Sequence, residues 1–141
     1  MSDRRLRLAA ALVALAGLLV AGYLTRAHYG DGSVVCPVGG GGCETVQESE
    51  YAELAGIPVA LLGLVAYAIL LALIVWDAPL ARLGAAALAL SGLLFSAFLL
   101  VVQAFVIEAF CIWCLANDVV IAPALAVLTA VRLMLPEPRS S

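Results

Sequence analysis

The sequence predicts an all-α membrane protein, a four-transmembrane-helix bundle with a short surface lid helix in its first outer loop. Three observations carry that reading. The 141 residues are 65% hydrophobic and 12% charged, which is more apolar surface than one soluble domain of this length can bury. Four apolar stretches each approach or exceed the roughly 17–25 residues that a helix needs to cross hydrocarbon. Charged residues collect between those stretches, and Asp118 is the one carboxylate deep inside a stretch.

The first span is expected at about 8–24. Arg4, Arg5 and Arg7 precede it, as in the basic region of a signal peptide. Its apolar run is longer than the roughly 7–15 residues of such a peptide and no small-x-small cleavage site follows, so a retained helix is expected. An outer loop then covers 26–56. It opens with the turn-rich Tyr29-Gly30-Asp31-Gly32-Ser33 and continues Cys36-Pro37-Val38 and four glycines to Cys43. Four successive glycines make a pliable link between the two cysteines. From Cys43 to Ala55 the pattern predicts the lid helix, with Cys43, Val46, Tyr51 and Leu54 on one side and Glu44, Glu48 and Glu53 on the other. It is too short to span and is expected to lie along the membrane surface.

Gly56-Ile57-Pro58 breaks the chain and opens the second span, 57–76, with proline in the first turn. The turn Asp77-Ala78-Pro79 leads to the third span, 83–107, and the fourth follows at 109–131. Gly17, Gly22, Gly63, Gly84 and Gly92 are expected to let helices approach closely. No internal repeat or second domain is evident, so residues 1–141 read as one membrane domain. The stretch after Leu135 is expected to be disordered.

Arginine placement predicts orientation. Arg4, Arg5, Arg7, Arg82, Arg132 and Arg139 fall on one side of an even number of spans, and Arg26 alone on the other. The positive-inside rule puts both termini in the cytoplasm. All four cysteines then face the extracytoplasmic side, where disulfides form and persist. A multi-pass location in a cell membrane is expected. No basic stripe extends beyond the N-terminal cluster, which argues against nucleic acid as a partner.

The cysteines are the chemical resource. Cys111-Ile112-Trp113-Cys114 is a C-x-x-C pair at the start of a helix, whose free N–H groups and dipole favour a thiolate. Glu108 works against that effect. Thiol–disulfide exchange proceeds by direct thiolate attack, so electrons pass only between sulfurs that touch. A soluble thiol protein reaches an outer-loop pair easily, and a lipid-soluble oxidant reaches a pair at the membrane surface. Cys36/Cys43 suits the first role and Cys111/Cys114 the second. Two other uses of four cysteines stand beside this one: structural disulfides in an inert membrane protein, and a four-thiolate zinc site. The wide Cys36/Cys43 spacing disfavours zinc, and no metal is expected. Asp118 lies four residues after Cys114 and seven after Cys111, hence on the same helix face. Intramembrane carboxyls mark function by default. Asp118 either polarises or protonates a bound ligand, or is a structural carboxyl bonded to Gln103, Asn117 or a neighbouring helix. Trp76 and Trp113 suit interface anchors, and Trp113 can also shield the cysteines.

The chain resembles the vitamin K epoxide reductase family. The matching residues are Cys43-Glu44-Thr45-Val46-Gln47-Glu48-Ser49-Glu50-Tyr51, then Gly56-Ile57-Pro58, Gly63 and Tyr67, and last Cys111-Ile112-Trp113-Cys114. The resemblance implies a four-helix bundle that binds a quinone, menaquinone or ubiquinone, beside the C-x-x-C. It implies electron entry at Cys36/Cys43 from a separate thioredoxin-like or DsbA-like protein. Cys43 would attack Cys111, and Cys114 would face the quinone. Ser49 would help hold the lid helix, and Tyr67 and Asp118 would lie near the quinone. Animal members carry tyrosine where Asp118 stands and asparagine where Val59 stands, so quinone reduction is a safer expectation than epoxide reduction. DsbB-type enzymes, the other candidate family, carry their C-x-x-C in the first outer loop, and the order here disfavours them.

Overall fold

A computed structural model describes residues 3–29, 53–54, 56–107 and 112–135. Helix α1 spans Asp3–Tyr29. Strands β1, Glu53–Leu54, and β2, Ile57–Pro58, pair antiparallel with Glu53 opposite Pro58. Helix α2 runs Val59–Trp76 and α3 runs Pro79–Val101. A π-helical turn, Val102–Ile107, extends α3. The last rod is built from α4, Ile112–Leu115, a second π segment, Ala116–Ile121, and α5, Ala122–Met134. Four helices among the described residues are long and apolar enough to cross a membrane: Asp3–Arg26, Val59–Trp76, Pro79–Val106 and Ile112–Met134. The predicted bundle is therefore present, with spans shifted by a few residues from the expected ones.

One local expectation fails. Glu53–Leu54 was expected to end the lid helix, and it is extended. Gly56 explains the difference. Its φ of 83° turns the chain back so that Leu54 meets Ile57, and this is a conformation that glycine adopts without steric cost. Ile57 and Pro58 consequently belong to the strand pair, and the second span starts at Val59 with Pro58 as its N-cap. The rest of the predicted lid, 43–52, lies outside the described residues.

Helix α1 turns its small residues inward. Ala10 and Ala14 are wholly buried, with Ala21 beside them, while Leu8, Leu12, Leu15 and Leu19 are exposed. This inverts the soluble pattern, as expected where lipid replaces water and helices associate by close packing. The core adds Tyr67, Leu70 and Ile74 from α2, Ala85 and Ala89 from α3, Ile121, and Leu125 from α5.

One end of the bundle is closed by charge. Arg82 and Arg132 are buried. Arg82 pairs with Asp3 at 3.1 Å and Asp77 at 3.0 Å, and donates to the Arg132 carbonyl at 3.1 Å. Arg132 pairs with Asp3 at 3.4 Å and also with Asp77. Arg7 donates to the Ile74 carbonyl at 3.0 Å and to that of Val75, two groups that the end of α2 leaves without helical donors. Asp77 caps α2 in the left-handed region, φ 56°, and its N–H bonds to the Leu73 carbonyl. Aspartate tolerates that conformation better than most residues, and here it also supplies the shared carboxylate. The start of α1, the end of α2, the start of α3 and the end of α5 therefore meet on one side, as an even number of spans requires.

Burial opposes the Asp77 carboxylate, but the Arg82 hydrogen bond and the Arg132 charge outweigh it and hold its carboxyl below the ordinary 3.8. A carboxyl that ionises more readily when folded lends stability at neutral pH and withdraws it as the pH falls through its folded pKa. The thermal midpoint in detergent is thus expected to drop on acidification below about pH 4. Asp77→Asn should lower the midpoint at pH 7 and flatten that dependence. Arg132→Ala leaves two carboxylates sharing the one Arg82 guanidinium and is expected to cost about 3 kcal/mol in unfolding measurements.

Candidate active site

A cavity of about 410 Å³ lies inside the bundle, between α1, α2, α3 and the last rod. Small side chains make the room for it: Ala21 from α1, Gly63 and Ala66 from α2, Ala89 and Gly92 from α3. A Cβ on Gly92 would meet nothing within 4 Å, so this glycine borders open space and does not serve the close helix contact expected of it. The volume falls in the range of small-molecule sites, about 300–1,000 Å³.

One stretch of the wall is polar. Tyr67, Ser96, Gln103, Asn117, Asp118 and Cys114 all line the cavity. The Tyr67 hydroxyl donates to Asn117 Oδ1. The Asn117 amide donates to Asp118 Oδ1 at 3.0 Å and to Ser96 Oγ at 3.4 Å. Gln103 Nε2 donates to Asp118 Oδ2 at 3.3 Å. Ser96, Gln103 and Asp118 are each buried. Among the described residues, no buried side-chain polar atom lacks a partner, which apolar surroundings demand of such a group.

The two π segments carry much of this wall. Gln103 sits in the first, and Asn117 and Asp118 in the second. The second is marked by the Ala122 N–H bonding back to the Asn117 carbonyl, five residues earlier. Single π turns inside α-helices occur frequently at functional sites. Here they hold an amide and a carboxyl from two different rods within hydrogen-bonding distance.

Tyr67 is seated by a notch. A Cβ on Gly17 would lie 2.5 Å from Tyr67 Cε1 and 2.6 Å from its Cζ. Glycine at 17 therefore lets the ring press against the α1 backbone and reach across to Asn117. Further along α1, Tyr23 packs against Trp113, with ring centroids 5.4 Å apart and planes at 55°. Trp113 and Cys114 both belong to α4, so this aromatic pair steadies the turn that carries the cysteine.

Of the residues singled out from sequence, Cys114, Tyr67 and Asp118 come together around one cavity. Cys36, Cys43, Ser49 and Cys111 lie outside the described residues. Asp118 bonds both Gln103 and Asn117, as the structural reading expects, and it also lines the cavity. Ser96 escaped the sequence reading. Its signal was faint but present, since it stands seven residues before Gln103, on one face of the third span.

Fold and site together define a polytopic membrane bundle built around a cysteine-edged cavity. The description "Vitamin K epoxide reductase family" matches residues 8–129, and the chain belongs to that family. It is also similar to the thiol-disulfide oxidoreductase LTO1 of Arabidopsis thaliana, 38% identical over 56 residues, 40% of this chain. The matched part covers 15% of that plant protein.

Gly17→Ala tests the notch. The added methyl must displace the Tyr67 ring and is expected to destabilise the protein by about 1–3 kcal/mol. In a Tyr67→Ala background the same substitution should cost much less, because the two positions are in contact. Equal costs in both backgrounds would show that the ring does not occupy the notch.

Proposed function

We propose that this protein is a membrane thiol:quinone oxidoreductase that supports disulfide formation in exported proteins. Family membership supports the class of chemistry, and the similarity to a thiol-disulfide oxidoreductase points the same way. The observation that carries the reading is Cys114, a thiol in the wall of an apolar cavity that ends in a polar cluster. An aromatic diketone needs such a cavity: apolar walls for its ring, polar groups near its oxygens, and a sulfur beside the ring.

In this reading a thioredoxin-like or DsbA-like protein delivers two electrons to the Cys36–Cys43 disulfide. Cys43 then attacks the Cys111–Cys114 disulfide at Cys111, and Cys36 resolves the mixed disulfide, leaving Cys111 and Cys114 as thiols. Those thiols reduce a menaquinone or ubiquinone. The pair returns to a disulfide and its two electrons and two protons go to the quinone, giving the hydroquinone. The glycine-rich link before Cys43 allows that loop to move between the two partners. Ser49 helps hold the loop, and Tyr67 and Asp118 lie beside the quinone. Arginine placement supports an orientation with both termini in the cytoplasm and the cysteines outside, in a bacterial inner membrane.

The test uses purified protein in detergent, a reduced thioredoxin-like donor and a soluble quinone analogue, with quinone reduction followed optically. Wild type is expected to turn over, and Cys111→Ala and Cys114→Ala to lose at least about a hundredfold in rate, the scale of removing a nucleophile. Cys36→Ala and Cys43→Ala should lose the protein donor yet keep activity with a small dithiol. A wild type inert with every quinone, holding disulfides that resist reduction, would leave a structural role for the cysteines.

A further inference from the structure

We infer that Asp118 is a positioning residue that makes the cavity select the hydroquinone over the quinone. The inference rests on the proposed function and adds a preference between its substrate and product.

A carboxylate oxygen only accepts, and Asp118 Oδ1 takes a hydrogen bond from the Asn117 amide nitrogen at 3.0 Å. A second Asn117 contact runs from the same nitrogen to Ser96 Oγ at 3.4 Å. An asparagine amide has one nitrogen and one oxygen at opposite corners. With its nitrogen held by Asp118 and Ser96, its oxygen must point away from them, and it points to Tyr67. A carbonyl oxygen cannot donate, so the phenol does: Tyr67 Oη gives its hydrogen to Asn117 Oδ1. A phenol has one hydrogen and two lone pairs. Tyr67 therefore faces the cavity with its hydrogen spent and an accepting oxygen left. Gln103, donating to Asp118 Oδ2 at 3.3 Å, braces the carboxyl from the other side.

An acceptor discriminates between the two forms of a quinone. The oxidised form carries carbonyl oxygens, which only accept and are repelled by another acceptor. The reduced form carries hydroxyls, which donate. The reaction converts one into the other with balance: two thiols become a disulfide, and two electrons and two protons turn the diketone into the diol. A wall that binds the diol more tightly pulls the bound couple toward reduction. The Gly17 notch strengthens the effect, because a ring pressed against the α1 backbone cannot swing its hydroxyl elsewhere.

The experiment compares the two forms directly. Anaerobic binding titrations are made on the Cys111→Ala protein, which cannot form the Cys111–Cys114 disulfide and so cannot turn over. The probes are a short-chain naphthoquinone and its hydroquinone. The hydroquinone is expected to bind about two- to tenfold more tightly, the range one neutral hydrogen bond supplies. Tenfold corresponds to about 30 mV in the midpoint potential of a bound two-electron couple. Tyr67→Phe removes the acceptor and should bring the ratio to about one. Asp118→Asn lets residue 118 offer an amide nitrogen, so Asn117 can reverse and Tyr67 can recover its hydrogen, and the ratio should again fall to one or below. Because both variants act through one oxygen, the double variant should show no further change. Tyr67→Phe keeps the ring and its packing, so it decides the matter if Asp118→Asn fails to fold. Tighter binding of the quinone before any of these changes overturns the inference, as does a ratio that neither variant moves. Failure of both forms to bind overturns the proposed function, and the inference with it.

Discussion

The bundle depends on four charges that share one corner. Arg82 and Arg132 are buried, and each pairs with both Asp3 and Asp77. A buried pair of this kind adds little net stability over a well-packed apolar substitute, because desolvation offsets much of the attraction. Its value lies in geometry. Two guanidinium forks present fixed donor directions, and two carboxylates from different parts of the chain must both fit them. The start of α1, the α2–α3 turn and the end of α5 have one mutual arrangement in which all four charges are neutralised, and α3 is carried into it by Arg82. Strands of apolar helix sliding in lipid have no comparable means of choosing a register.

With one end locked, the rest of the bundle can be loose where function needs it. Small residues line the interior of α1 at Ala10, Ala14, Gly17 and Ala21, and Leu8, Leu12, Leu15 and Leu19 face outward. In lipid the outward leucines gain nothing by turning in, so packing density alone decides contact. Where an alanine or glycine meets a large partner, as Gly17 meets Tyr67, the helices seal. Where nothing faces the small residue, as at Gly92, a cavity remains. The same class of residue closes the bundle at one level and opens it at another, and the identity of the neighbour makes the difference.

That rule also explains what could be read from the sequence and what could not. Span number, alternating direction and the gathering of the arginines at one end follow from apolar run length and charge placement, which are local or additive properties. Asp118 stood out because a carboxyl in an apolar stretch is costly, and its partners Gln103 and Asn117 were the nearest polar residues available. The two π segments left no trace, since one extra residue in a helical turn changes neither composition nor apolar character. The Gly17 notch was equally hidden: five glycines looked alike, and only the position of Tyr67 separates the one that seats a ring from Gly92, which borders empty space. The strand pair at Glu53 and Pro58 depends on a single backbone angle at Gly56, while the amphipathic pattern around Glu53 reads equally well as helix.

The polar wall is complete among its own members before any ligand arrives, and this governs how it can work. In hydrocarbon an unpaired amide or hydroxyl is too costly to hold in reserve, so the protein pairs its donors with one another. A chain of such pairs has a direction. Asp118 accepts, Asn117 passes its amide nitrogen one way and its carbonyl the other, and Tyr67 ends the chain as a donor inward. Reversing any one member forces the next to reverse or to lose its bond. A single carboxyl thus sets the polarity of a phenol through the Asn117 amide that bonds to both. Preorganised dipoles of this kind cost nothing at the moment of reaction. What reaches the ligand is the lone pair that the network leaves unused, and the protein chooses that lone pair by where it places Asp118.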